Sequence, residues 1–143
     1  MAIQFYSNLG QYGFMSNFYK SEIIYNGKIY PTVEHFFQAH KAVAEQDHEF
    51  IRKSPNPGSA KKIGNSIQLR DNWEQIKDKI MLLGLMCKFT QNKDLADNLI
   101  ATGTNYLEEA SPTDNYWGKV NGIGRNQLGI GLMKVRELLN EIV

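Results

Sequence analysis

A single α+β domain, mainly helical with a small N-terminal β-sheet or hairpin, is what the 143-residue sequence predicts. Three observations carry this. Apolar residues recur at steps of three and four over several long segments, the mark of helices with one buried face. Apolar β-formers flank an Asn-Gly pair once, near the start, which reads as a hairpin. No internal repeat, low-complexity tract or linker divides residues 1–143.

The elements follow in order. Residues 3 to 6 (IQFY) suit a short strand, and IIYNGKIY at 23 to 30 suits the hairpin, turning at Asn26-Gly27. Pro31 and Thr32 then open a helix with Thr32 as N-cap. At about 100° per residue, Val33, Phe36, Phe37, Val43 and Ala44 share an apolar arc that also takes in His40. Glu34, Gln38 and Lys41 share a polar face. SPNPGSAKKIGNS at 54 to 66 is a loop leading into a short helix around Ala60. The strongest helix begins near Asp71: Asp71 and Glu74 have capping-box spacing, and Trp73, Ile76, Ile80, Leu83 and Cys87 form an apolar stripe. Asn92 caps the next helix, which stops near Gly103, and NYLEE at 105 to 109 suits a strand. A loop rich in polar residues and glycine fills 111 to 126. The last helix runs from Gln127 to Ile142 with Leu128, Leu132, Val135 and Leu139 inward.

Composition narrows the function. Lys and Arg number 16 against 15 Asp and Glu, so the basic surplus that an extended duplex nucleic-acid surface needs is missing. A local basic pocket for one or two phosphates stays open. The single cysteine, Cys87, allows no intrachain disulfide. It lies in an apolar stripe where a cysteine behaves as a small hydrophobe. The first residues lack the basic start and apolar run of a signal peptide, and IMLLGLMC at 80 to 87 is too short to span a bilayer. The expectation is a cytoplasmic monomer with no membrane partner.

Metal chemistry finds no support in the spacing. His35 and His40 fall about 140° apart on a helix, whereas a zinc helix places two histidines four residues apart. Neither a metal nor a cofactor is expected. The glycine-rich GIGRNQLGIG at 122 to 131 leads into a helix and matches no dinucleotide or Walker fingerprint. It reads either as turns with Asn126 as N-cap or as backbone open to a phosphate. In SPTDNYWG, Trp117 either tucks onto the core or stacks on a ligand, and Asp114 either makes a turn hydrogen bond or serves a site. Glu34 alone is explained by the helix dipole. Beside a stacking aromatic, it also suits the cleavage of a base–ribose bond. That reaction passes through a cationic sugar, which a carboxylate stabilises while a donor protonates the leaving base.

The stretches GFMSNF (13 to 18), YPTVEHFFQAHKA (30 to 42) and SPNPGSAKKIGN (54 to 65) resemble the NADAR, or YbiA-like, family in order and spacing. So do RDNWEQIKDKIM (70 to 81), KFTQN (88 to 92) and SPTDNYWG with GIGRNQLGIGLMKVR. The resemblance covers Phe5 to Leu138. It implies an N-glycosidase, a hydrolase of N-glycosyl bonds. The substrates it implies are phosphoribosylamino-pyrimidine intermediates of riboflavin biosynthesis, or ADP-ribose attached to guanine in nucleic acid. Carried over by motif, Glu34 is the central catalytic carboxylate, with Trp73, Asp114 and Trp117 completing the pocket. Ser16, Asn17, Phe18, Gly118 and Asn126 contact sugar or base. Lys61 and Arg70 contact phosphate. Lys41 offers a variant in which its amine forms a Schiff base with opened ribose. A module that binds ADP-ribose or a related nucleotide without turnover is the alternative. Two departures stand out: Asn65 where members often carry arginine, and Lys119-Val120 where a more glycine-rich pattern is common.

Overall fold

The structure is a computed structural model that describes residues 2–142. Its backbone divides into two compact units, one spanning Lys20–Lys88 and the other joining the segment that ends at Tyr19 to the one that starts at Phe89. The strands in chain order are β1 (Ala2–Phe5), β2 (Ile23–Tyr25), β3 (Lys28–Tyr30) and β4 (Tyr106–Glu109).

The Lys20–Lys88 unit opens with the hairpin, in which β2 pairs antiparallel with β3. Asn26 and Gly27 take φ angles of 51° and 75°, the left-handed pair that a two-residue hairpin turn requires. Helix α1 (Val33–Ala39) starts at Thr32, whose Oγ1 accepts the His35 N–H at 3.1 Å. The same hydroxyl donates to His35 Nδ1 at 2.8 Å, while His35 Nε2 donates to the Ser54 carbonyl at 3.1 Å. That fixes the ring as a neutral tautomer and the start of α1 with it.

The apolar arc to Val43 and Ala44 does not extend the helix. The chain leaves helical geometry after His40, because Lys41 O accepts from Arg70 N at 2.9 Å and Ala42 bridges Leu69. Val43 is 57% exposed, and a helix not expected from the sequence, α2 (Glu45–Arg52), follows. Helix α3 (Pro57–Gly64) is capped by Asn56, whose Oδ1 accepts from Ser59 N at 2.8 Å. Ile23, Tyr30, Phe36, Ala39, Ile51 and Ala60 form the core here.

Helix α4 (Trp73–Gln91) begins in this unit and places its last turn in the other. Its most buried face is Met81, Leu85, Lys88 and Phe89. The expected stripe of Ile80, Leu83 and Cys87 is only partly buried at the edge of the core. Gly84 lets α1 approach: a Cβ there would lie 2.9 Å from a Phe36 ring carbon.

The other unit pairs β1 in parallel with β4, so the first strand finds its partner late in the chain rather than in the hairpin. A 3-10 turn (Gly13–Met15), α5 (Lys93–Ile100) and α6 (Gln127–Glu141) complete it. Leu128, Leu132, Val135 and Leu139 are buried as their spacing predicts. Asn126 precedes α6 in left-handed conformation (φ 56°), and its side chain does not cap the helix. The α+β class therefore holds, and among the described residues no helix is long and apolar enough to cross a membrane.

The hairpin unit carries a pH dependence. His40 Nδ1 donates to the Phe36 carbonyl at 2.7 Å, and its ring centre lies 4.2 Å from that of Phe36 and 4.9 Å from that of His48. Burial pulls its pKa from 6.5 down to about 4. The folded chain thus holds this ring neutral where the unfolded chain protonates it, so stability present above pH 6.5 is lost as pH falls toward 4. Burial moves His35 and His48 the same way. Chemical denaturation at pH 7.5 and pH 4.5 is expected to differ by at most about 3 kcal/mol from His40, and the His40→Phe variant is expected to flatten that difference.

Candidate active site

Thr32 sets where α1 begins, and α1 in turn sets the face that carries Glu34. Glu34 is 7% exposed, a carboxylate removed from bulk water. Four residues on, Gln38 lies one turn above it and donates from Nε2 to Glu34 Oε2 at 2.7 Å. Lys41 follows just past the helix, its Nζ 5.6 Å from the Phe37 ring centre. Burial lowers the Lys41 pKa, the nearby Glu34 charge opposes that, and Lys61 and Lys77 add to it. A carboxylate and an amide thus share one side of a short helix, with the Lys41 ammonium just past its end and further cations around them.

Arg70 and Trp73 reach this region through the backbone. Arg70 N donates to Lys41 O at 2.9 Å, and Trp73 N donates to Arg70 O at 3.1 Å. The Trp73 indole is buried against Phe37, with ring centres 5.1 Å apart and planes at 60°. This is the core packing its periodicity predicts. Lys61 stands exposed on α3. The structure therefore brings together Glu34, Lys41, Lys61, Arg70 and Trp73.

The remaining expected residues belong to the other unit. Ser16 closes the 3-10 turn, its Oγ accepting from Phe18 N at 3.1 Å, and both Ser16 and Asn17 are buried. The 111–126 loop is built from side-chain-to-backbone turns. Ser111 Oγ accepts from Thr113 N at 3.1 Å and Asp114 N at 2.9 Å. Asp114 Oδ1 accepts from both Tyr116 N and Trp117 N at 2.9 Å. Asp114 thus does make the turn hydrogen bonds. Trp117 is half-buried, edge-on to Tyr116 with ring centres 4.9 Å apart. Gly118 must lack a side chain, since a Cβ would sit 2.5 Å from the Glu109 carbonyl oxygen. The Asn126 side chain is fully buried, with Oδ1 accepting from Glu109 N at 3.0 Å and Nδ2 donating to Leu107 O at 2.9 Å and Tyr106 Oη at 3.0 Å.

One of the two expectations for the glycine-rich segment fails. The amides that open α6 are not open to a phosphate. Arg125 N donates to Asn115 O, Asn126 N to Gly118 O, Gln127 N to Tyr116 O and Leu128 N to Trp117 O, all within 2.8–3.2 Å. The loop supplies the carbonyls that satisfy the helix start. Sequence reasoning also gave Gln38 no role, although its spacing of four from Glu34 was the signal.

The chain is similar to known proteins over nearly its whole length. A model of the NADAR domain family matches residues 4–140. "N-glycosidase YbiA" of Shigella boydii is 43% identical over 140 residues, covering 96% of this chain and 88% of that protein. A "Riboflavin biosynthesis protein" of Vibrio vulnificus is 37% identical over 97% of this chain, which corresponds to 39% of that longer protein. The NMR structure of the E. coli protein YbiA superposes with a TM-score of 0.91 at 41% identity, covering 99% of this chain and 86% of that one. With a family match running nearly end to end, this chain belongs to the NADAR domain family.

Proposed function

We propose that this protein hydrolyses the base–ribose bond of ribosylated bases, with Glu34 stabilising the oxocarbenium-like sugar. That it is an N-glycosidase rests on relatives bearing that name over most of their length. The observation that carries the mechanism is the buried Glu34 carboxylate held by the Gln38 amide. In low dielectric, a fixed negative charge stabilises a developing cation far more than it would in water. As the C–N bond lengthens, the bonding electrons leave with the base, which takes up a proton; water adds to C1′ and gives up its own. Lys41, Lys61 and Arg70 suit a phosphate on the ribose side, through point charges and a guanidinium fork.

The lowered pKa of Lys41 favours a second route through the same residues. The neutral Lys41 amine attacks C1′, the base departs with a proton from that amine, the second proton passes to the ring oxygen as the ribose opens, and the resulting imine is held until water releases it. Both routes are read in one experiment. The protein is incubated with a phosphoribosylamino-pyrimidine or with an oligonucleotide carrying ADP-ribosylated guanine, with and without borohydride, and analysed by mass spectrometry. The relative named for riboflavin biosynthesis favours the pyrimidine. Release of free base with no lysine adduct is expected for direct hydrolysis; a reduced ribose adduct on Lys41 selects the imine. Binding of either compound without product would sink the glycosidase reading in favour of a nucleotide-binding module.

A further inference from the structure

The polar face of α1 contains a residue whose presence costs the fold something. Gln38 is 4% exposed, and while its Nε2 serves Glu34, its Oε1 is buried with no hydrogen-bond partner among the described residues. A buried carbonyl oxygen left unpaired is destabilising, and an apolar side chain of the same length would avoid that. The neighbouring helix is shaped around this amide. Gly64 on α3 faces it so closely that a Cβ there would fall 2.0 Å from Gln38 Oε1 and 2.9 Å from its Cδ. Nothing in the conformation of Gly64 requires glycine, since it is an ordinary helical residue without positive φ. On propensity alone an alanine would favour the helix. The bare backbone is explained by the room that Gln38 takes.

We propose that Gln38 is a positioning residue for Glu34, and that Gly64 is the seat that keeps the Gln38 amide turned toward the carboxylate. This rests on the reading of Glu34 as the catalytic carboxylate. Rotation about the last bond of Gln38 would exchange Nε2 for Oε1 and set an oxygen against the carboxylate. The close α3 backbone limits such movement, so Glu34 meets a donor in every folded molecule. An unpaired acceptor beside a candidate catalytic group fits local stability given up for a fixed site geometry.

The test separates position from stability. Gln38→Met keeps length and loses the amide; it relieves the unpaired Oε1 but takes the Nε2 donor from the buried Glu34, so it is expected to stay folded with a melting temperature close to the parent's. Its kcat for base release from the phosphoribosylamino-pyrimidine is expected to fall at least about tenfold, toward the range a placed acid–base group contributes, with KM little changed. Gly64→Ala, which leaves Gln38 intact but displaces it, is expected to lower kcat likewise, and to add little in a Gln38→Ala background where the clash is gone. A substrate-free readout comes from the Gln38 side-chain amide resonance in ¹⁵N-labelled protein, which is expected to shift when Glu34 is replaced by leucine. Folded Gln38→Met and Gly64→Ala variants with kcat within about twofold of the parent would overturn the proposal while leaving Glu34 catalytic. Full turnover by Glu34→Gln would overturn the proposal together with the catalytic reading on which it rests.

Discussion

Replacing Glu34 by glutamine is expected to lower kcat for base release by roughly 10²–10⁴-fold, about 3–5 kcal/mol in barrier, with the fold intact. The substitution is nearly isosteric. The new amide keeps one oxygen, which still accepts the Gln38 Nε2 hydrogen bond that spans 2.7 Å in the parent. What disappears is charge. At a site 7% exposed, the carboxylate's field is poorly screened, and a neutral amide supplies little of it to a cationic sugar. KM is expected to change less than kcat, because the charge acts mainly on the transition state. Single-turnover release of base, followed by mass spectrometry beside a thermal unfolding curve, measures both halves of the expectation. A folded Glu34→Gln protein with unchanged kcat would remove Glu34 from the chemistry.

Features set by neighbours in sequence are the ones legible in it. The Asn26-Gly27 turn, the Thr32 cap and the inward stripe of α6 each depend on residues close by along the chain. The end of α1 does not. Apolar spacing continues to Ala44, but Lys41 O, Ala42 and Val43 N are claimed by residues 68 to 70, a pairing no local pattern contains. The buried face of α4 is hidden for a different reason. It includes Lys88 at 0% exposure, and a lysine reads as solvent-facing in any periodicity argument. Burial lowers its pKa to about 7.

The same division runs through the candidate site. Helical spacing alone puts Glu34 and Gln38 on a shared face, so their proximity is legible in the sequence, whereas Lys41 comes near Glu34 only after the chain has left the helix. The pairing of Gln38 with Gly64 joins two helices and exists only in three dimensions. So does the fate of the α6 amides, which glycine content leaves open to a phosphate and which the loop carbonyls satisfy.

Asn126 illustrates how a motif residue can be required by the fold itself, and its replacement by alanine is expected to cost about 3–4 kcal/mol. The side chain bridges two backbone groups of β4, taking the Glu109 N–H on Oδ1 and giving a proton to Leu107 O. Alanine would leave both without that partner, and Leu107 is fully buried, so desolvation of its carbonyl is uncompensated at about 1–3 kcal/mol. The backbone adds to this. At φ 56° an asparagine is tolerated, whereas alanine meets the left-handed penalty of about 1 kcal/mol or more. In a chain of this size the sum lowers the melting temperature by on the order of 10 °C. Asn126→Gly separates the two contributions, because glycine accepts the left-handed angle and loses only the hydrogen bonds. Calorimetry of the parent and both variants should therefore rank parent above glycine above alanine. Equal losses for glycine and alanine would assign the whole effect to the β4 bridge, and a glycine variant as stable as the parent would show that the bridge contributes nothing.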